Sequence, residues 1–230
     1  MGQMLEITAA DGQKLPAYVA QPEGAPRGAV VVLQEIFGVN SHIRDVADGY
    51  ARAGYLAVAP ALFQRVQPGV DMGYTDAEVK AGIQLKVKAE ALPAPGVLPD
   101  VQGAIDYAAQ ASGGQKVAVV GYCWGGLWAW RAAALATGLS AAVPYYGGGM
   151  TQPAEIARQP KVPVMAHLSD NDGSVPLDGV KALQQAHPAV QVFIYPAHHG
   201  FNCDQRPAYD AAAAQQALER TLAFLAQHVG

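Results

Sequence analysis

The chain has 230 residues, 51% of them hydrophobic and 15% charged, with a formal net charge of −4. A chain this apolar can bury a sizeable core and is no disordered segment, and its length fits one domain over residues 1–230. There is no Lys/Arg run to suit a nucleic-acid partner, and no apolar stretch reaches the roughly 18 residues that would cross a membrane.

The first residues, MGQMLEITAADG, carry two acids and no basic region ahead of an apolar run, so no secretory signal is expected. Cys123 and Cys203 are the only cysteines and make no disulfide framework. A reduced, cytoplasmic protein is the expectation.

In chain order, residues 5–9 and 16–20 are short β-rich runs separated by Asp11-Gly12, a hairpin signal. Residues 29–33 form a continuous apolar run of buried-strand type. Residues 42–53 read as a helix and 55–59 as the next strand. The segment 61–75, with Pro68, Gly69 and Gly73, is irregular. Helices are expected over 76–91 and 98–111, and a bare strand over 116–120. After Cys123 a helix covers 124–136. Strands over 141–146, 162–168 and 190–195 alternate with helices over 176–186 and 209–227.

This alternation predicts an α/β fold, a mostly parallel sheet of about eight strands with helices on both faces. The first hairpin adds an antiparallel N-terminal edge. In such sheets, function gathers at the carboxyl ends of the strands.

The most informative stretch is Gly121-Tyr122-Cys123-Trp124-Gly125-Gly126. It has the form G-x-C-x-G, entered from a strand and left through a helix, which is the nucleophile-elbow pattern with cysteine in place of serine. Glycines leave room where the chain passes close to its neighbours. The helix N-terminus favours a thiolate and a developing oxyanion. A buried, inert cysteine is the usual alternative, but it needs no such flanking glycines.

That fold supplies its groups in the order nucleophile, acid, base. Asp170 and Asp172 both follow the strand over 162–168, and His198 and His199 both follow the last strand. Position alone chooses neither within each pair. His167 reads as a satisfied core histidine, and His42, His187 and His228 as helix-surface or terminal residues. The six histidines show no metal-ligand spacing, so no metal is expected. Glu35, directly after a buried strand, needs a partner or a function unless a solvated loop carries it.

These residues resemble the dienelactone hydrolase (carboxymethylenebutenolidase) family of the α/β-hydrolase superfamily. The likeness rests on Gln34-Glu35-Ile36-Phe37-Gly38-Val39-Asn40, the Cys123 elbow, Tyr145-Tyr146-Gly147, the Asp172-to-Pro176 turn and His199-Gly200-Phe201, and it spans nearly the whole chain. It implies Asp172 as the acid, because the family's acid lies four residues before the turn proline, and His199 as the base. It implies that Glu35 contacts the nucleophile thiol when substrate arrives, and that the backbone N–H groups of Ile36 and Trp124 form the oxyanion hole. No cofactor is implied.

The family's substrates are anionic dienelactones, opened to maleylacetate, whose carboxylate is bound by arginines. Arg206 corresponds to one of them. The segment 74–90 holds Lys80, Lys86 and Lys88 but no arginine, leaving Lys80 as a point-charge substitute. Phe37, Trp124, Tyr145 and Phe201 flank the motifs as either pocket walls or ordinary packing. The expected partner is a small lactone or ester, handled by a monomer. Two other readings remain open: a carboxylesterase for small neutral esters, and a redox protein using Cys123 and Cys203.

Overall fold

In the computed structural model, which describes residues 2–230, the chain opens with the hairpin of β1 (Gln3–Thr8) and β2 (Lys14–Ala20). Gly12 in its turn has φ +88°, a conformation glycine adopts without a Cβ clash. Next come β3 (Gly28–Leu33), α1 (Ser41–Arg52), β4 (Tyr55–Pro60), α2 (Asp76–Glu90), α3 (Leu98–Ala111) and β5 (Val117–Tyr122). The second half holds α4 (Trp124–Leu135), β6 (Leu139–Tyr145), α5 (Pro153–Ile156), β7 (Met165–Asn171), α6 (Leu177–Ala186), β8 (Gln191–His198) and α7 (Ala211–His228).

The strands form one eight-stranded sheet in the order β1-β2-β4-β3-β5-β6-β7-β8. Only β1 with β2 and β2 with β4 run antiparallel. From β4 through β3 to β8 every ladder is parallel. This is the expected architecture, with the antiparallel edge where the first hairpin puts it.

Alternation along the central strands explains why they are apolar throughout. Ala29, Val31 and Leu33 of β3 join a core with residues of α3, α4 and α6. Val30 and Val32 face the other way, into a second core with Ile43, Ala47 and Tyr50 of α1 and Phe224 of α7. Both sides of the strand are therefore buried, and a polar residue on either would lose its water.

The boundaries that differ do so for local reasons. β7 starts three residues later than expected and continues through Ser169-Asp170-Asn171, because β8 pairs alongside it. β8 runs on through Pro196 to His198. A proline is tolerated there because β8 is an edge strand. The single turn of α5 carries no period that could have announced it.

The ladder between β6 and β7 is the thinnest of the sheet. It has the pair Tyr145↔His167 and one isolated bridge, Ala142↔Val164. Side chains reinforce it from α7. The Thr221 hydroxyl lies 2.7 Å from the Tyr145 hydroxyl and 3.0 Å from His167 Nε2. His167 also reaches the Tyr195 hydroxyl at 2.8 Å, so it is the satisfied core histidine the sequence suggested. Burial pushes its pKa down to about 3, with Arg220 adding to the effect.

Candidate active site

Cys123 sits between β5 and α4 with φ 55° and ψ −114°, as the N-cap of the helix. A positive φ is costly for a residue with a side chain, typically about 1–3 kcal/mol. The surroundings enforce it. Cys123 N–H donates to the Tyr145 carbonyl at 3.0 Å, and its own carbonyl accepts from Leu127 N–H at 3.2 Å. A Cβ on Gly121 would strike the Gly125 carbonyl, and one on Gly125 would strike the carbonyls of Leu33 and Gln34. The two glycines thus let β5, α4 and the end of β3 close on one another.

The candidate acid and base arrive on neighbouring strands. Asn171 pairs with His198 at the carboxyl ends of β7 and β8, so the next residues, Asp172 and His199, emerge side by side. Asp172 Oδ2 accepts from His199 Nδ1 at 2.7 Å, and Oδ1 accepts from Ser174 N–H at 2.8 Å. The competing residues point elsewhere. Asp170 and His198 are exposed, and His198 Nε2 lies 3.4 Å from Asn171 Nδ2.

Cys123 is close enough to His199 to bear on the charge of its ring. Burial works against a charge on His199, yet the Cys123 thiolate and the Asp172 carboxylate outweigh it and push its pKa up to about 10. The charged form of the His199 ring is thus favoured in this site.

Glu35 follows β3 and is buried, not solvated. Its Oε1 accepts from Arg206 Nη1 at 3.2 Å, whereas Oε2 has no hydrogen-bond partner among the described residues. Arg206 comes from the loop between β8 and α7, and its guanidinium lies 5.6 Å from the Phe37 ring centre and 5.8 Å from that of Tyr74. Gly200, at φ +87°, leaves the space in which Arg206 lies.

Trp124 is the first residue of α4, so its N–H has no acceptor within the helix. Its ring turns away from the site, stacking 4.8 Å from Phe63 and donating to Glu90 Oε1 at 2.7 Å. Ile36 lies on the segment after β3, against which Gly125 packs.

Of the further candidates, Phe37 is buried edge-on to Tyr74 at 4.6 Å. Tyr145 and Phe201 are also buried, and both belong to the aromatic packing under the site. Lys80 is exposed on α2, about 200° around the helix from Gly82, which packs on Ile36. It points away from the other candidates.

His42 and His187, expected at helix surfaces, are both buried. His187 Nε2 donates to the Ile156 carbonyl at 2.6 Å. His42 sits beside Glu35, a neighbour the sequence did not reveal, as are Tyr146 and Tyr74. Tyr146 adopts φ 35° and lies edge-on to His199 at 5.2 Å. Its doublet with Tyr145 was visible, but not which ring faces the site. A cavity of about 500 Å³ opens between α1 and α7, lined in part by His42, Tyr122 and Asp204. Cys123, Asp172 and His199 lie outside it. Among the described residues no helix is long and apolar enough to cross a membrane.

Residues 15–229 match the dienelactone hydrolase family. A carboxymethylenebutenolidase of Pseudomonas putida is 34% identical over 227 residues, covering 96% of this chain and 95% of its own. A Synechocystis protein provisionally given the same name is 35% identical, over 90% of this chain and 89% of its own. A solved structure from Klebsiella pneumoniae, provisionally named a dienelactone hydrolase, superposes with a TM-score of 0.83 at 32% identity, covering 99% of this chain and all of that one. The fold, the elbow and these relatives together place the chain in the dienelactone hydrolase family, as an α/β-hydrolase that acts on carboxylic esters.

Proposed function

We propose that the chain opens a small anionic lactone, a dienelactone giving maleylacetate, through a triad of Cys123, His199 and Asp172. The observation that carries this reading is the strained Cys123 at the elbow together with a histidine that Asp172 holds at 2.7 Å. In the first step the Cys123 sulfur attacks the lactone carbonyl, and His199 holds the thiol proton. The carbonyl oxygen becomes an oxyanion facing the backbone N–H groups of Ile36 and Trp124. Losing one such donor typically costs about 3–4 kcal/mol.

Collapse of that intermediate breaks the ring C–O bond and leaves a thioester on Cys123. The leaving oxygen departs as an enolate, which makes a dienelactone easier to open than an alkyl ester, and the enolate takes up the proton held by His199, returning the ring to its neutral form. His199 then takes a proton from water as the hydroxide adds to the thioester carbonyl, the C–S bond breaks to release the acid, and the sulfur recovers that proton from His199. Asp172 keeps the ring in the tautomer that this requires.

Arg206 supports the choice of an anionic substrate. Its guanidinium is ion-paired with Glu35 at 3.2 Å. A substrate carboxylate that takes over Arg206 would free Glu35 to assist deprotonation of Cys123. The protein acts as a monomer in the cytoplasm, in the breakdown of aromatic compounds, where its thiols stay reduced.

One observation favours a second reading, a carboxylesterase for small neutral esters. The expected second arginine is missing, and Lys80 faces solvent. Steady-state hydrolysis of cis-dienelactone and of p-nitrophenyl acetate, by wild type and Cys123→Ala, decides. Lactone turnover lost in the variant is the expected result. Aryl-ester turnover alone would favour the esterase, and full activity in the variant would remove Cys123 from the chemistry.

A further inference from the structure

The catalytic reading leaves a buried group of side chains unused. Glu35 at the end of β3, His42 in the first turn of α1 and Cys203 in the loop before α7 are all buried. One ligand atom from each lies within 4.8 Å of the other two. Oxygen, imidazole nitrogen and thiolate sulfur make a donor set that suits zinc and its neighbours, not calcium or magnesium.

Two of these atoms are orphaned. Glu35 Oε2 and His42 Nε2 have no hydrogen-bond partner among the described residues, although the residues are only 1% and 3% exposed. Leaving a buried donor or acceptor unsatisfied is unfavourable, so such atoms imply an occupant. They also lie on the same cluster.

The surroundings orient the three ligands as those of metal sites are oriented. His42 Nδ1 sits 3.3 Å from Asp204 Oδ1. A proton on Nδ1, given to that carboxylate, leaves the Nε2 lone pair free for an ion, the usual carboxylate–histidine–metal arrangement. The Tyr74 hydroxyl accepts from Asn40 Nδ2 at 3.0 Å, which leaves its own proton free for another acceptor. His42 and Asp204 also line the cavity between α1 and α7, which provides a way in from solvent.

From these observations we infer that Glu35, His42 and Cys203 form a binding site for a zinc-class divalent ion that reversibly inhibits the enzyme. The ion takes the free Oε2 of Glu35 while Oε1 stays with Arg206. Arg206 opposes a second cation nearby and keeps the site weaker than a structural zinc centre. On binding, the Cys203 thiol loses its proton to solvent and a sulfur–metal bond forms, with no change of oxidation state. The sequence hid this site, since Cys203 is far along the chain from Glu35 and His42. Binding stands on the cluster alone. Inhibition also rests on the proposed role of Glu35.

The test separates the two. In Cys123→Ala protein the catalytic thiol is gone, so cobalt(II) titration reports on Cys203 alone. The expected result is a saturable thiolate-to-cobalt charge-transfer absorption that Cys123→Ala/Cys203→Ser lacks. Zinc affinity by calorimetry should fall in the double variant, and about tenfold or more in Cys123→Ala/Asp204→Asn. Melting curves check that each variant folds, and Cys123→Ala/His42→Gln stands in if the serine variant does not. No cobalt–sulfur absorption, or zinc affinity unchanged without Cys203 or His42, overturns the site. In otherwise wild-type enzyme, zinc should inhibit, a chelator should restore activity, and Cys203→Ser should resist. Binding without inhibition overturns the inhibitory role and counts against Glu35 as a helper, while Cys123→Ala tests the triad separately.

Discussion

Asp172 grips His199 with one carboxylate oxygen while a backbone N–H occupies the other. Oδ2 is 2.7 Å from His199 Nδ1, and Ser174 N–H reaches Oδ1 at 2.8 Å. The turn after β7 therefore sets the carboxylate's angle, and the carboxylate sets the tautomer of the ring. Asp172→Asn should keep the fold and lower kcat by about 10⁴-fold on either substrate. Asp170→Asn, at an exposed position, should leave kcat unchanged, and parallel kinetics of the two variants check the assignment.

Arg206 and Glu35 make a second prediction, read as a difference between substrates. Arg206→Met should reduce kcat/KM for an anionic lactone by roughly 10- to 150-fold, the worth of one charge-assisted hydrogen bond. Turnover of a neutral aryl ester should change far less. An equal loss on both would mean that Arg206 serves only to hold Glu35. Because the variant leaves Glu35 buried and unpaired, a lower melting temperature is expected as well.

The elbow's glycines can be tested by stability alone. Gly125→Ala must displace the carbonyls of Leu33 and Gln34, backbone atoms that cannot swing aside. A loss of about 1–3 kcal/mol is expected from such overpacking. Gly49→Ala in α1 is the opposite case, with its nearest foreign atom 3.7 Å away on the flexible Arg52 side chain. It should gain up to about 1 kcal/mol. Denaturant melts of both variants test the contrast.

Acid stability should follow His167. Its folded pKa is about 3, against about 6.5 for a free histidine, so the unfolded chain holds the extra proton between those values. Stability then rises with pH across that window and is lost as pH falls from about 6.5 toward 3. One such group contributes a slope of about 1.4 kcal/mol per pH unit. His167→Gln should flatten the stability curve near pH 5 by about that amount. An unchanged slope would place the acid sensitivity elsewhere.

Much of this was legible from residue types. The apolar runs and the turn residues between them locate all eight strands, most clearly β3, β4 and β5, which are buried along their whole length and leave no polar alternation to misread. Cys123 announced itself through its glycines. Position could not choose between Asp170 and Asp172 or between His198 and His199. The resemblance favoured Asp172 and His199, and in each pair one residue ends a strand while the other lies in the turn beyond it, an arrangement that follows from the pairing of β7 with β8. His42 misled for a different reason. Its helix has a polar exposed face, but the loop before α7 folds over its first turn and buries the ring. Nothing local to residue 42 encodes that loop.

The grip of Thr221 on both Tyr145 and His167 has a bearing on how the molecule fails. Cys123 belongs to the side of the sheet ending in β6, and Asp172 and His199 belong to β7 and β8. The three groups of the proposed triad straddle a seam that a hydroxyl near the far end of the chain helps to hold shut. If α7 loosens first on warming, thiol and imidazole drift apart while both halves of the sheet keep their strands. Activity would then vanish, and return on cooling, over temperatures at which the circular dichroism of the strands has barely moved.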